Sequence, residues 1–105
     1  MTILVTGATG FVGAAVARAL LSEGERVRVL VRTQSNRENI VNLNVEIAHG
    51  DLNVPNSLIS AVQGCDAVFH VAADYRLWAR NPDEITKTNV DGSCAIIRAA
   101  TKAGV

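Results

Sequence analysis

The chain has 105 residues and no net charge, with ten Lys and Arg against ten Asp and Glu. Hydrophobic residues make up 49% and charged residues 19%, enough to bury the core of one domain or part of one and too apolar for intrinsic disorder. Balanced charge, with a pI near 6.7, excludes the broad positive field of most nucleic-acid binders, and no apolar run approaches the ~18 residues of a membrane span. The N-terminus lacks the basic start and cleavage site of a signal peptide. Cys65 and Cys94 are too few and too far apart for a disulfide framework or a zinc site. The expectation is a cytoplasmic protein.

Apolar β-branched runs alternate with helical stretches from the first residue. Thr2–Thr6 has the continuous apolar pattern of a strand buried on both faces. A helix is expected over Phe11–Ser22, with Val12, Ala15, Ala19 and Leu20 on its buried face and Gly24 just past its end. Val27–Val31 reads as a second strand, Ser35–Val41 as a short helix and Val45–Ala48 as a third strand. Pro55 opens a helix through Ala61 and Val62, and Gly64 closes it. Ala67–Val71 reads as a fourth buried strand. Asn81 is expected to cap a last helix, with Pro82 in its first turn and its end near Ala103. No repeat, low-complexity stretch or linker interrupts the pattern.

Strand–helix alternation with short connections implies right-handed crossovers and a parallel sheet. The fold class is therefore α/β, a Rossmann-type sheet of order 3-2-1-4 with flanking helices, stopping before a fifth strand. Such an order opens a crevice between strands one and four at their C-terminal ends, where ligands bind.

The loop Thr6-Gly7-Ala8-Thr9-Gly10-Phe11-Val12-Gly13 joins the first strand to the first helix. Gly7 suits a tight turn, Gly10 the approach of a pyrophosphate to the backbone, and Gly13 close packing of helix on strand. The helix start adds N–H groups and a positive dipole end for a diphosphate. Glycine patterns also occur in ordinary turns, but here a strand precedes and a helix follows, as dinucleotide binding requires. The cofactor contacts expected from this loop are Thr6, Gly7, Thr9, Gly10, Phe11, Val12 and Gly13.

Arg32 ends the second strand, where an acid would accept from a ribose 2′-hydroxyl and an arginine suits a 2′-phosphate. With Arg37 close behind, NADP is the expected cofactor and NAD the alternative; the competing reading of Arg32 is a solvated surface charge. His49 and His70 have no partner at metal-ligand spacing, so no metal site is expected. His70 reads better as a satisfied strand-end histidine than as a catalyst. Ile85, Asn89, Gly92, Ile96, Ala99 and Ala103 share one helix face, so Asn89 is aimed at the sheet, where its amide needs partners. Gly92 beside it suggests very close packing of helix on sheet.

In its glycine spacing the chain resembles the short-chain dehydrogenase/reductases, in the extended branch of sugar epimerases, dehydratases and dihydroflavonol-reductase-like enzymes. Val68-Phe69-His70-Val71-Ala72-Ala73-Asp74-Tyr75-Arg76-Leu77-Trp78 and Thr88-Asn89-Val90-Asp91-Gly92 are most similar to the hopanoid-associated sugar epimerase group. The resemblance spans the whole chain. It implies that Asp51 and Leu52 cradle the adenine, the competing reading being that Asp51 caps the turn before Pro55. It also implies that Val71, Ala72 and Ala73 let the cofactor lie against the fourth strand. Asn89 would serve the cofactor or an ordered water, a satisfied structural amide being the alternative. Tyr75 and Trp78 would form a substrate wall or simply pack on the surface. Helices like the last one meet across a dimer interface in that family, so Val90, Cys94 and Ile97 are expected to form a homodimer row.

Catalysis in that family needs a Tyr-x-x-x-Lys pair, in which the lysine lowers the tyrosine pKa. The chain has one tyrosine, Tyr75, and Ala79 stands four residues later. No catalytic residue is therefore expected here. The resemblance implies the NADP(H)-binding half of an epimerase/dehydratase or carbonyl reductase acting on a nucleotide-sugar or similar small molecule. The other class is a non-catalytic dinucleotide-binding or regulatory module. A Tyr-x-x-x-Lys in coding sequence beyond Val105 would decide for the enzyme.

Overall fold

A computed structural model of the protein describes residues 1–32, 36–71 and 82–105, with side chains in all of these except 82–89. Its elements are β1 (Thr2–Thr6), α1 (Phe11–Ser22), β2 (Arg26–Val31), β3 (Glu46–His49), α2 (Leu58–Val62), β4 (Ala67–His70) and α3 (Pro82–Ala103). The four strands are parallel in the order β3-β2-β1-β4, as the alternation predicts. Ile3 stands between Val27 and Ala67, and Val29 between Val5 and Ile47.

Side-chain alternation along the strands divides the core in two. Ile3, Val5, Val27, Val29 and Val31 pack with Ala14 and Ala17 of α1. Leu4 and Leu30 point the other way, onto Leu58, Ala61 and Val62 of α2 and Ala95, Ile96 and Ala99 of α3. Both faces of β1 are thus covered, which is why its sequence is apolar without a break.

The buried face of α1 differs from the one expected. Gly13, Ala14 and Ala17 are buried, flanked by Val16, Leu20 and Leu21, whereas Val12 is 62% exposed and Ala15 and Ala19 face out. Nearly every position of this helix is apolar, so hydrophobicity does not select a face. The choice is steric: Gly13 seats the helix against the end of β1. At the other end Gly24, with φ of 83°, closes a Schellman turn, Gly24 N–H donating to Leu21 O and Glu25 N–H to Leu20 O.

Other expected elements shift. Where Ser35–Val41 suggested a helix, the described residues hold a single 3₁₀ turn, Glu38–Ile40, because only Ile40 reaches the core; Ser35 lies outside the described residues. β3 begins one residue late, since the Val45 N–H is turned back onto Leu43 O. Pro55–Ser57 is 3₁₀ rather than α because Ser57 Oγ is engaged with the preceding loop, donating toward Val54 O at 2.6 Å and accepting from Asp51 N–H. β4 ends at His70 and is an edge strand, not a buried one, leaving Phe69 43% exposed. On α3, Gly92, Ile96 and Ala99 are buried as expected, but Ala103 is exposed. The expected Asn81 cap and the side chains of Ile85 and Asn89 lie outside the described residues.

Arg28 was not singled out in the sequence, yet it holds α2 in place. Its guanidinium donates to the carbonyls of Ala61 (2.8 Å) and Gln63 (2.6 Å), satisfying acceptors that a helix C-terminus leaves open. Nε lies 3.2 Å from Glu46 Oε1, out of line for a hydrogen bond, so that contact is ionic.

Candidate functional site

The C-terminal ends of β1 and β4 carry the glycine loop and His70 side by side, Thr6 standing opposite His70 in the register. Gly7 has φ of 76°, a conformation costly for residues with a Cβ, and its carbonyl accepts from Gly10 N–H at 3.0 Å. Gly10 then caps α1 in extended conformation, its own carbonyl accepting from Ala14 N–H. Among the described residues no side chain caps α1, and no acidic residue stands in its first turn. The positive end of such a helix favours an anion.

Three glycines play three parts. A Cβ on Gly13 would fall on the Gly7 carbonyl and within 2.9 Å of Ala8 Cα, so this glycine lets helix and strand meet. Among the described residues a Cβ on Gly10 would meet only Gly7 O at 3.3 Å, so the space beside it is open to them. Phe11 is 82% exposed and Val12 also faces out, placing both at the mouth of the loop rather than in the core. Among the described residues these surroundings fit a diphosphate: a helix start with no side-chain cap, an open glycine and no acidic residue in the first turn.

Thr6 is buried, and its hydroxyl is a junction. Oγ1 lies 2.7 Å from His70 Nδ1 and accepts from Val71 N–H at 3.1 Å, while His70 Nε2 lies 3.0 Å from Ser93 Oγ on α3. His70 is therefore the satisfied strand-end histidine expected, and it ties β1, β4 and α3 together. Burial lowers its pKa below the ordinary 6.5. The folded chain then binds this proton less readily than the unfolded one. Stability from this group is complete above pH 6.5 and declines as pH falls through that value toward the lower folded pKa. Denaturant midpoints should fall in the parent as pH drops through the ordinary histidine value of about 6.5, and less steeply in His70→Gln.

Arg32 and Arg37 are both exposed on the segment that follows β2, with no acidic residue in the β2–turn stretch before Glu38. Asp51 sits after β3, half-buried, and its Oδ1 accepts from Asn53 N–H at 2.8 Å. That is the local turn role anticipated as an alternative, and it engages one carboxylate oxygen. Leu52 packs against α3 at Gly92: a Cβ there would meet Leu52 Cβ at 3.4 Å, with no sheet atom among its near neighbours. The expected close approach of helix to sheet at Gly92 is thus an ordinary contact with Leu52. Val71 is half-buried at the end of β4. Ala72, Ala73, Tyr75 and Trp78 lie outside the described residues.

Sequence reasoning missed Asn39, whose Nδ2 donates to the Thr9 carbonyl at 2.8 Å. Its only signal is a polar residue beside the core-anchored Ile40. Among the described residues, no group of three or more His, Cys, Asp or Glu could hold a metal, and no helix is long and apolar enough to cross a membrane.

A parallel sheet of this order, with a glycine turn feeding a helix at its centre, defines a Rossmann-type domain of the class that carries dinucleotides. Over residues 3–105 the sequence matches the NAD dependent epimerase/dehydratase family, and the chain belongs to it, within the extended short-chain dehydrogenase/reductase superfamily. A putative dihydroflavonol 4-reductase from Synechocystis is 46% identical over 101 residues, covering 96% of this chain and 29% of the reductase. The crystal structure of gox2253 superposes with a TM-score of 0.91 at 54% identity, covering 99% of this chain and 32% of that one. A short-chain dehydrogenase/reductase superfamily protein from Agrobacterium tumefaciens, solved with bound NAD, gives 0.80 at 32% identity, over 100% of this chain and 30% of that one. The chain therefore spans about three-tenths of the length of the relatives it matches.

Proposed function

We propose that this chain binds NADP(H), with NAD as the weaker ligand, and forms the cofactor half of an epimerase/dehydratase or carbonyl reductase. The observation that carries the reading is the uncapped start of α1 behind an open glycine at Gly10. Main-chain N–H groups from Phe11 and Val12 would meet the diphosphate, while Gly7 and Gly13 hold the loop and Thr6 and Thr9 line it. Arg32 and Arg37 would take the 2′-phosphate. The oxygen of Asp51 not engaged by Asn53 would accept from the adenine amine, beside Leu52. Val71, Ala72 and Ala73 would back the nicotinamide half, and Asn89 would serve the cofactor or an ordered water.

When bound, the dinucleotide supplies hydride transfer; this chain's own residues bind and orient it. A nucleotide-sugar or similar carbonyl or hydroxyl compound is the proposed substrate. Exposed Val90 and Ile97 on α3 support a homodimer through that helix.

Calorimetric titration with NADP and NAD tests the reading. Saturable binding of both, tighter for NADP, is expected, and so is the absence of turnover by these residues alone. No binding of either dinucleotide would overturn it.

A further inference from the structure

We infer that Asn39 is a positioning residue for the diphosphate: it sets the peptide plane between Thr9 and Gly10, and so aims the amides that follow. The inference rests on the dinucleotide reading above and adds to it a residue outside the glycine loop. Both ends of that peptide are held. Its N–H, from Gly10, donates to Gly7 O at 3.0 Å, and its C=O, from Thr9, accepts from Asn39 Nδ2 at 2.8 Å. Only the first of these bonds is internal to the loop. Gly10 is the N-cap of α1, so a rotation of this peptide would swing the Phe11 and Val12 amides away from an anion in front of them.

Asn39 is well placed for the task. It sits in the middle of the Glu38–Ile40 turn, whose Ile40 is 4% exposed in the core beneath α1. Ile40 N–H donates to Arg37 O, and Asn36 Oδ1 accepts from Glu38 N–H, so the turn is closed on itself. The turn thus reaches across to the loop after β1, thirty residues away in sequence. The same turn carries Arg37 at its start, so the segment proposed to read the ribose also braces the loop proposed to read the diphosphate.

The test compares ligands with and without the diphosphate on the intact protein. Asn39→Ala and Asn39→Asp remove the donor from an exposed side chain, and circular dichroism should show both folded. NADP affinity is expected to fall about five- to tenfold, as loss of one oriented hydrogen bond allows. Adenosine 2′-monophosphate, which lacks the diphosphate, should bind within about twofold of the parent if the bond acts through the loop alone. Asn39→Gln keeps an amide donor and should recover most of the loss. Hydrogen exchange at the Gly10 amide gives a second readout, expected to quicken in Asn39→Asp while the Val29 amide in the core is unchanged.

An equal loss for both ligands, or variants that bind NADP like the parent, would overturn the role of Asn39 while leaving dinucleotide binding intact. A parent that binds no dinucleotide would overturn the broader reading first. A parent that prefers NAD would correct the role of Arg32 alone, and the same comparison then decides Asn39 with NAD and adenosine.

Discussion

Gly13→Ala should unfold much of the chain, although it adds a single methyl group. The new Cβ would land on the Gly7 carbonyl and within 2.9 Å of Ala8 Cα. Overpacking against side chains costs about 1–3 kcal/mol because they shift aside. Here the neighbours are main chain at the end of the central strand, so about 3 kcal/mol or more is expected, a large share of a small domain's stability. Relief would come by lifting α1 off the sheet, which opens the core beneath Ala14 and Ala17. Gly10→Val is the informative contrast. Its Cβ would meet Gly7 O at 3.3 Å, which a small adjustment relieves, so the fold should survive. The branched side chain would instead fill the space proposed for the diphosphate and abolish binding. Urea midpoints and calorimetry on both variants separate the two roles. A Gly13→Ala protein as stable as the parent would contradict the packing, and a Gly10→Val protein that binds normally would remove the diphosphate from this loop.

Arg32→Asp should reverse the cofactor preference. Arg32 is exposed at the end of β2, and no Asp or Glu stands between Arg26 and Arg37 in the sequence to accept from a ribose hydroxyl. A guanidinium binds a 2′-phosphate through paired, charge-assisted hydrogen bonds worth about 1.5–3 kcal/mol, or roughly ten- to a hundredfold in affinity. Aspartate would repel that phosphate and accept from the hydroxyl of NAD. The reversal should be partial, since Arg37 stands on the same segment and is also exposed. Added salt should weaken NADP binding more than NAD binding, because an exposed charge pair is screened. Dissociation constants for both cofactors on parent and variant decide the matter. A parent that prefers NAD, or a ratio that the substitution leaves alone, would make Arg32 a surface charge.

Much of the fold is legible in the sequence because parallel strands buried on two faces must be continuously apolar. Thr2–Thr6 therefore reads as a strand at once, the run to Val31 does so despite Arg28, and alternation with helices leads to the 3-2-1-4 order. The glycine loop is legible for a related reason: a turn with positive φ at Gly7 and a helix seated on Gly13 tolerate no side chain there. Tertiary structure decided what local pattern leaves degenerate. In α1 nearly every residue is apolar, so the contact at Gly13, not hydrophobicity, turned Ala14 and Ala17 inward and Val12 outward. Arg28 looked like a charge in a strand until the carbonyls at the end of α2 came within its reach. Asn39 and Thr9 lie thirty residues apart, and no spacing rule connects them. Periodicity reports which faces an element can bury, whereas a hydrogen bond between distant loops exists only once the sheet has brought their strands side by side.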